Sequence, residues 1–310
     1  MSPTSRRRFL QNTLCAAGLA AAGPLASALA AEPKFRPPLA ICNETFVDWP
    51  LEKVFSCAAD CGYRGVEIAP FTLARRVTDI PAARRSEIRR QAEKAGVQII
   101  GLHWLLAKTE GLYLTSPDSD TRRRTADYLG ELARFAAELG GKLLVFGSPK
   151  QRNLLPGVTR RQAMDYAAEV FTRIVPVLEK TNTILAIEPL SPRTTTFITT
   201  AAEGAELARR LGSPRCRLHL DCIAMSSEPT PIPDLIRRHR DLLAHFHAND
   251  PSQLGPGMGK LDFVPIFRAL AEVGYRGWVS VEVFDYRPGG ERIARESIRY
   301  MNTCLTKEAP

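Results

Sequence analysis

Four side chains able to bind a metal ion stand at the ends of four consecutive apolar segments of the chain. They are Glu188 in "AIEPL", Asp221 in "LHLDC", His247 in "HFHAND" and Glu282 in "SVEVF". Three carboxylates and one imidazole brought together in a partly buried place would repel one another unless a cation lay among them. Oxygen donors with one imidazole suit a hard or borderline divalent ion such as Mn²⁺, Mg²⁺ or Co²⁺. The pattern therefore predicts a site for one divalent metal ion.

The spacing of these residues points to the scaffold that positions them. The successive separations are 33, 26 and 35 residues, and each is the length of one strand-plus-helix repeat. Eight β-rich runs alternate with amphipathic stretches along the chain, a pattern typical of a parallel sheet covered by helices. The runs are PLAICNETF, GVEIAPF, VQIIGLHWLL, KLLVFGSP, TILAIEPL, CRLHLDCIAM, LAHFHAND and GWVSVEVF.

Eight such units in one chain predict an α/β fold, a closed (β/α)8 TIM barrel, in which the strand ends meet at one rim. The first run is not followed by GxGxxG, which disfavours a doubly wound dinucleotide-binding sheet. No linker or low-complexity tract divides the chain, so we expect a single domain over residues 32–310.

The first 31 residues have the pattern of an export signal. Arg6, Arg7 and Arg8 precede an uncharged stretch over residues 9–31, and Ala28-Leu29-Ala30 offers a small-x-small cleavage site. A twin-arginine start of this kind predicts a Tat-type signal peptide and a periplasmic protein. The alternative is an uncleaved signal that anchors the protein in the membrane, because the uncharged stretch is long enough to span a bilayer. After cleavage we expect no stable membrane association.

Composition narrows the classes of partner. The net charge of +9 falls to +6 without the three arginines of the signal, and most other arginines lie beside acids on helix-like stretches such as "DTRRRTADYLGELARF". This arrangement indicates solvated helix faces and no nucleic-acid partner. The seven cysteines form no CxxC pair, which favours buried free thiols over a structural zinc site. A homo-oligomer is compatible with the sequence.

Several motifs together carry a resemblance to a known family. The chain resembles the xylose isomerase-like TIM barrels of the sugar phosphate isomerase/epimerase superfamily over nearly all of residues 39–305. That superfamily includes ketose 3-epimerases, hydroxypyruvate isomerase, inosose dehydratase and, more distantly, endonuclease IV. The motifs are GYRGVEIAPF, EPL, LHLD, HFHAND, GPGMGKLDF and GYRGWVSVEVF. A nuclease of the endonuclease IV type is disfavoured, because its three-metal cluster needs more histidines than the five in this chain can supply.

The resemblance implies both a ligand set and a chemistry. It assigns Glu188, Asp221, His247 and Glu282 to the metal, and it makes Glu188 and Glu282 the acid/base pair on opposite sides of a small sugar or keto-sugar substrate. A cation beside a hydroxy-ketone makes the neighbouring C–H acidic enough for a carboxylate to remove its proton. We therefore expect a sugar isomerase or epimerase that acts through a cis-enediolate.

Two other functions remain open. Expulsion of a β-substituent from the same enolate would make the protein a lyase or dehydratase for a 3-keto-glycoside or an inosose-like substrate. A non-catalytic carbohydrate-binding barrel is the more remote alternative, because a barrel that had lost its activity would not be expected to retain all four metal ligands.

The residues that would contact substrate depart from the ketose 3-epimerase pattern. Thr194, Ala224 and Gln253 stand where that pattern has a glutamate, a histidine and an arginine that contact the substrate. A free ketohexose is therefore not the expected substrate, and other groups must recognise its hydroxyls. The candidates at strand ends are Glu67, His103, Lys150, Arg152 and Asp250.

The remaining histidines and one glycine-rich loop have predicted places as well. His219 and His245 lie two residues before ligands, so we expect them deeper in the barrel as supporting groups. His239 is expected on the surface of a helix. The segment "GPGMGK" is expected to form a rim loop near the metal, because no strand leads into it and no helix follows closely enough for a phosphate-binding loop.

Overall fold

Eight parallel strands close into a barrel in which each strand pairs with its neighbour in sequence and β8 pairs with β1. The computed structural model describes residues 35–307, so the predicted signal peptide and the boundary after residue 31 lie outside the described residues. The strands are β1 (Leu39–Cys42), β2 (Gly65–Ile68), β3 (Gln98–Leu102), β4 (Leu143–Phe146), β5 (Ile184–Ile187), β6 (Cys216–Asp221), β7 (Leu243–Ala248) and β8 (Val279–Val281). The predicted TIM barrel is confirmed.

Helices follow the strands and cover the outside of the barrel. They are α1 (Leu51–Cys61), α2 (Ala82–Ala95), α3 (Ser119–Glu138), α4 (Arg160–Thr181), α5 (Ala201–Leu211), α6 (Cys222–Met225), α7 (Ile232–Arg238), α8 (Val264–Glu272) and α9 (Gly290–Lys307). Their apolar faces pack on the strands, as where the Phe171 ring of α4 meets Phe146 of β4 with centroids 5.1 Å apart. None of the helices of residues 35–307 is long and apolar enough to cross a membrane.

The interior of the barrel changes from apolar to polar along the strands. Near the strand starts, Ala40, Ile100 and Leu143 form a small buried cluster against which Trp278 packs. Towards the strand ends the buried interior side chains become ionisable or polar, and they include Cys42, Glu67, His219, His245, His247 and Ser280. The apolar layer closes one end of the barrel, so the polar groups gather at the rim where the βα loops begin.

The six cysteines of the described range form no disulfide, as predicted, and all except the half-buried Cys61 are buried. The surface placement of His239 was wrong, because its side chain is only 4% exposed. Helix α7 ends at Arg238, and His239 lies in the turn that leads into β7, where its backbone bonds to Leu235 and Leu243.

Candidate active site

Glu188 stands directly after β5, and two neighbouring features fix its position. The carboxylate fills the space where a side chain on Gly147 would begin, so the residue after β4 must be a glycine. The Arg152 guanidinium donates a hydrogen bond of 2.7 Å to the Glu188 backbone carbonyl. Pro189 then turns the chain away from the strand, because proline cannot donate to a sheet ladder. The acid is thereby held at the rim of the barrel.

The four predicted metal ligands meet at this rim. Ligand atoms of Glu188, Asp221 and His247, together with one of His219, all lie within 4.8 Å of one another. Glu282 joins them through a contact of 3.0 Å between its Oε2 and His247 Nδ1. The structure thus brings all four together and places His219 within reach, with its Nε2 3.7 Å from Glu188 Oε1.

The carboxyl groups of this cluster disfavour one another's charge. Burial and the nearby Glu282 and Asp221 carboxylates raise the pKa of Glu188 well above its usual value. Burial and Glu282 raise the pKa of Asp221 to about 6. Both ring nitrogens of His219 are buried without a hydrogen-bond partner. A divalent cation would offset the carboxylate charges and give the imidazole a partner, so these residues fit a metal ion.

Hydrogen bonds to Glu67, which lies deeper in the barrel, orient the histidines beside the metal-type ligands. Glu67 Oε2 lies 3.1 Å from His247 Nε2 and 2.9 Å from His245 Nε2. Although burial disfavours its charge, these two rings hold the pKa of Glu67 well below its usual range. Glu67 was predicted to contact substrate, but it is fully buried and holds the histidines instead. His245 lies deeper in the barrel than His247, as predicted from its place two residues earlier in the sequence.

Asn249 is a site residue that the sequence analysis missed. Its Nδ2 donates to Asp221 Oδ2 at 2.5 Å, and its Oδ1 accepts from the backbone of Ile223 at 2.9 Å. The other Asp221 oxygen accepts from Ala224 N at 2.8 Å. The signal was present in "HAND", because Asn249 lies two residues after His247, directly beyond the end of β7, where the strand's alternation points it to the same side as His247.

Trp104, two residues after the end of β3, was also missed. Its indole Nε1 donates to Glu282 Oε1 at 3.0 Å. Its backbone has a φ of 53°, a left-handed conformation that costs free energy in a residue other than glycine. Such strain is typical of functional sites, and here it accompanies an indole that holds a predicted catalytic carboxylate.

The other predicted substrate-binding residues have varied environments. His103 is buried and its Nε2 lies 2.7 Å from Glu44 Oε2, another acid that the sequence analysis did not single out. Lys150 is exposed. Arg152 is buried and donates only to backbone carbonyls in its described bonds. Asp250 accepts from the backbones of Ser252 and Leu261 and so orders the loop after β7, which contains "GPGMGK".

A cavity of about 230 Å³ opens beside the cluster. Its lining residues are Trp104, Gly147, Pro149, Glu188, Leu190, Ser191, Thr194, Ile223, Ala224, Gln253, Glu282 and Phe284. The two predicted catalytic glutamates line it together, although β5 and β8 are three strands apart around the barrel. The three positions that depart from the ketose 3-epimerase pattern line it as well, so these departures shape the space open to a ligand.

A closed (β/α)8 barrel with acidic and histidine side chains gathered at its rim defines a class of TIM-barrel proteins, and comparison with known proteins identifies the family. Residues 55–304 match the xylose isomerase-like TIM barrel family, and the chain belongs to that family. A probable ketose 3-epimerase of Synechocystis sp. is 25% identical over 266 residues, which span 81% of this chain and 89% of that protein. The 3-dehydro-D-guloside 4-epimerase of Escherichia coli is 28% identical over 176 residues, 54% of this chain and 66% of that enzyme.

A solved structure agrees with this placement at the level of the fold. The crystal structure of a D-psicose 3-epimerase in the presence of D-fructose superposes with a TM-score of 0.77. The superposition covers 86% of this chain and 99% of the other, at 19% sequence identity. The predicted resemblance to this superfamily is confirmed.

Proposed function

We propose that the protein is a divalent-metal-dependent sugar epimerase or isomerase that moves a proton on the carbon next to a carbonyl group. One observation carries the proposal: Glu188 and Glu282 come from strands three apart and line one cavity beside a buried cluster of metal-type ligands. The similarity to a probable ketose 3-epimerase and to a 3-dehydro-D-guloside 4-epimerase supports the same class of reaction.

The residues that would hold the ion are Glu188, Asp221, His247 and Glu282, with His219 in reach. When bound, the ion would supply positive charge that stabilises the negative charge developing on the oxygens of a hydroxy-ketone. Asn249 and Glu67 would keep Asp221 and His247 in orientation through the hydrogen bonds described above.

The two glutamates perform the proton transfers in this mechanism. One carboxylate takes the proton from the carbon next to the carbonyl. The C–H electron pair then forms the C=C bond while the π pair of the carbonyl moves to its oxygen, which gives a cis-enediolate. The other glutamate then delivers a proton from the opposite side, which inverts the configuration at that carbon. Delivery to the neighbouring carbon would isomerise the sugar. Trp104 holds Glu282, and the glycine at position 147 leaves room for Glu188.

Elimination is the second candidate, and the altered lining of the cavity favours it. Ala224 and Gln253 replace groups that contact substrate in the resembling ketose 3-epimerases. A 3-keto-glycoside or an inosose-like compound could then lose a β-substituent from the same enediolate.

We further propose that residues 1–31 act as a Tat-type signal and that the enzyme works in the periplasm.

Deuterium exchange tests the proposal. The Mn²⁺-loaded protein is incubated in D₂O with D-fructose and with a methyl 3-keto-D-glucoside, and proton NMR follows the C–H next to the carbonyl. We expect loss of that signal together with an epimer or isomer. An unsaturated product would assign elimination instead, and no exchange by protein that holds its metal would contradict the proposal.

A further inference from the structure

The cavity has an uneven distribution of polar groups. Among its described lining residues, Glu188 and Glu282 alone are ionisable, and both are assigned above to the reacting end of a substrate. The other lining is largely apolar and consists mainly of Trp104, Pro149, Leu190, Ile223, Ala224 and Phe284. A ligand that fills the space therefore has one polar, reacting end and one end that contacts apolar side chains.

The described lining has three neutral polar side chains, Ser191, Thr194 and Gln253, and the first two are partly committed to the loop that follows β5. The Thr194 hydroxyl donates to the Ser191 carbonyl at 2.8 Å. The Ser191 hydroxyl accepts from the backbone of Arg193 at 3.3 Å. A free ketose carries a hydroxyl on nearly every carbon, and each one buried without a partner lowers its affinity.

Positive charge is also missing from the lining of the described cavity. Arg152 is turned to the backbone carbonyls of Phe146, Glu188 and Ile198, and Lys150 is exposed and does not line the cavity. A phosphate or carboxylate on the substrate would find no side-chain cation in this described lining to receive it. The cavity therefore suits an uncharged substrate.

The aromatic part of the lining is held in a fixed shape. The Trp104 ring meets Phe284 at 6.2 Å and 67° on one side and Phe71 at 6.4 Å and 89° on the other. Edge-to-face contacts of this kind restrain the rings, and the bond from Trp104 to Glu282 ties them to the reacting end. A rigid apolar wall next to a catalytic acid is a subsite for a flat or linear apolar group.

We propose that the preferred substrates are uncharged keto-glycosides with an apolar aryl or alkyl aglycone, and that the aglycone contacts Trp104, Ile223 and Phe284. This inference rests on the proposed function, because the keto-sugar ring must lie against the two glutamates. Free ketoses and sugar phosphates fit the lining of the cavity less well than these keto-glycosides do.

The first test compares phenyl and methyl 3-keto-β-D-glucosides in the D₂O exchange assay with Mn²⁺-loaded protein. We expect kcat/KM for the phenyl glycoside to be at least about tenfold higher, because its ring removes apolar surface from water. Ile223→Asn should bring the ratio close to one. Val47→Ser, an exposed rim position outside the cavity, should leave the ratio unchanged.

The second test does not depend on turnover. Calorimetry with the unreactive phenyl and methyl β-D-glucosides should show tighter binding of the phenyl compound, with a more negative heat capacity change. Equal kcat/KM values for the two keto-glycosides would overturn the inference and leave the proposed function standing. Tighter phenyl binding without exchange of either keto-glycoside would support the apolar subsite and contradict the proposed function. Equal affinity for the two glucosides would also overturn the inference.

Discussion

Glu188 and Glu282 have the same side chain but different surroundings. Glu188 lies against Gly147 and is within 3.7 Å of one histidine, His219. Glu282 accepts from the Trp104 indole and lies 3.0 Å from His247 Nδ1. Each carboxylate is thus held by its own partners while both face one cavity. In the proposed mechanism, one acts as a base while the other acts as an acid on the same substrate.

Replacing either glutamate with glutamine tests these roles. Glu188→Gln and Glu282→Gln should each lower the rate of proton exchange by about 10²–10⁴-fold, because an amide cannot accept the proton. The rate is measured by NMR in D₂O, with metal content determined on the same sample. Glu206→Gln, an exposed position on α5, is the matched control and should retain the rate. Full exchange by either site variant would contradict its assignment.

At the scale of elements, the ends of β4 and β5 are joined by one buried guanidinium. Arg152 donates to the carbonyls of Phe146 at 3.3 Å, Glu188 at 2.7 Å and Ile198 at 3.2 Å. Burial lowers the pKa of this guanidinium to about 10, and the Glu188 and Glu203 carboxylates oppose that shift. Arg152 therefore supports the backbone that presents a predicted ligand.

Removing this support should reduce stability. Arg152→Met removes hydrogen bonds to three buried carbonyls, two of which keep a backbone donor. We expect a loss on the order of 3 kcal/mol in the free energy of unfolding. Urea unfolding followed by tryptophan fluorescence measures the change. Arg161→Met, at an exposed position on α4, should stay within about 0.5 kcal/mol of the wild type. A wild-type midpoint for Arg152→Met would show that these bonds contribute little.

The strand ends could be predicted from the sequence, whereas the partners chosen in the loops could not. Apolar runs that end on Glu188, Asp221, His247 and Glu282 are enough to predict that these four side chains meet, because parallel strands in a closed barrel all end at one rim. The partners of Arg152 and Asp250 depend on how each loop folds back, which no spacing rule states. Pairs such as Glu44 with His103 and Trp104 with Glu282 join distant segments, so they emerge only once the barrel closes.

At the scale of the whole molecule, barrel closure concentrates acidic groups in a low-dielectric interior. Burial and mutual repulsion raise the pKa values of Glu188 and Asp221, so bringing these groups together opposes folding when they are charged. A cation that binds the folded rim and not the unfolded chain would stabilise the fold by mass action. The central claim is therefore that four strand ends bind one divalent ion.

Stoichiometric Mn²⁺ binding, measured by electron paramagnetic resonance after dialysis, tests this claim most directly. We expect about one bound ion per chain in the wild type. We expect loss of that ion in the double variant Asp221→Asn/His247→Gln and retention in His239→Gln, which alters a buried histidine outside the cluster. No stoichiometric ion in the wild type, or equal binding by the double variant, would contradict it.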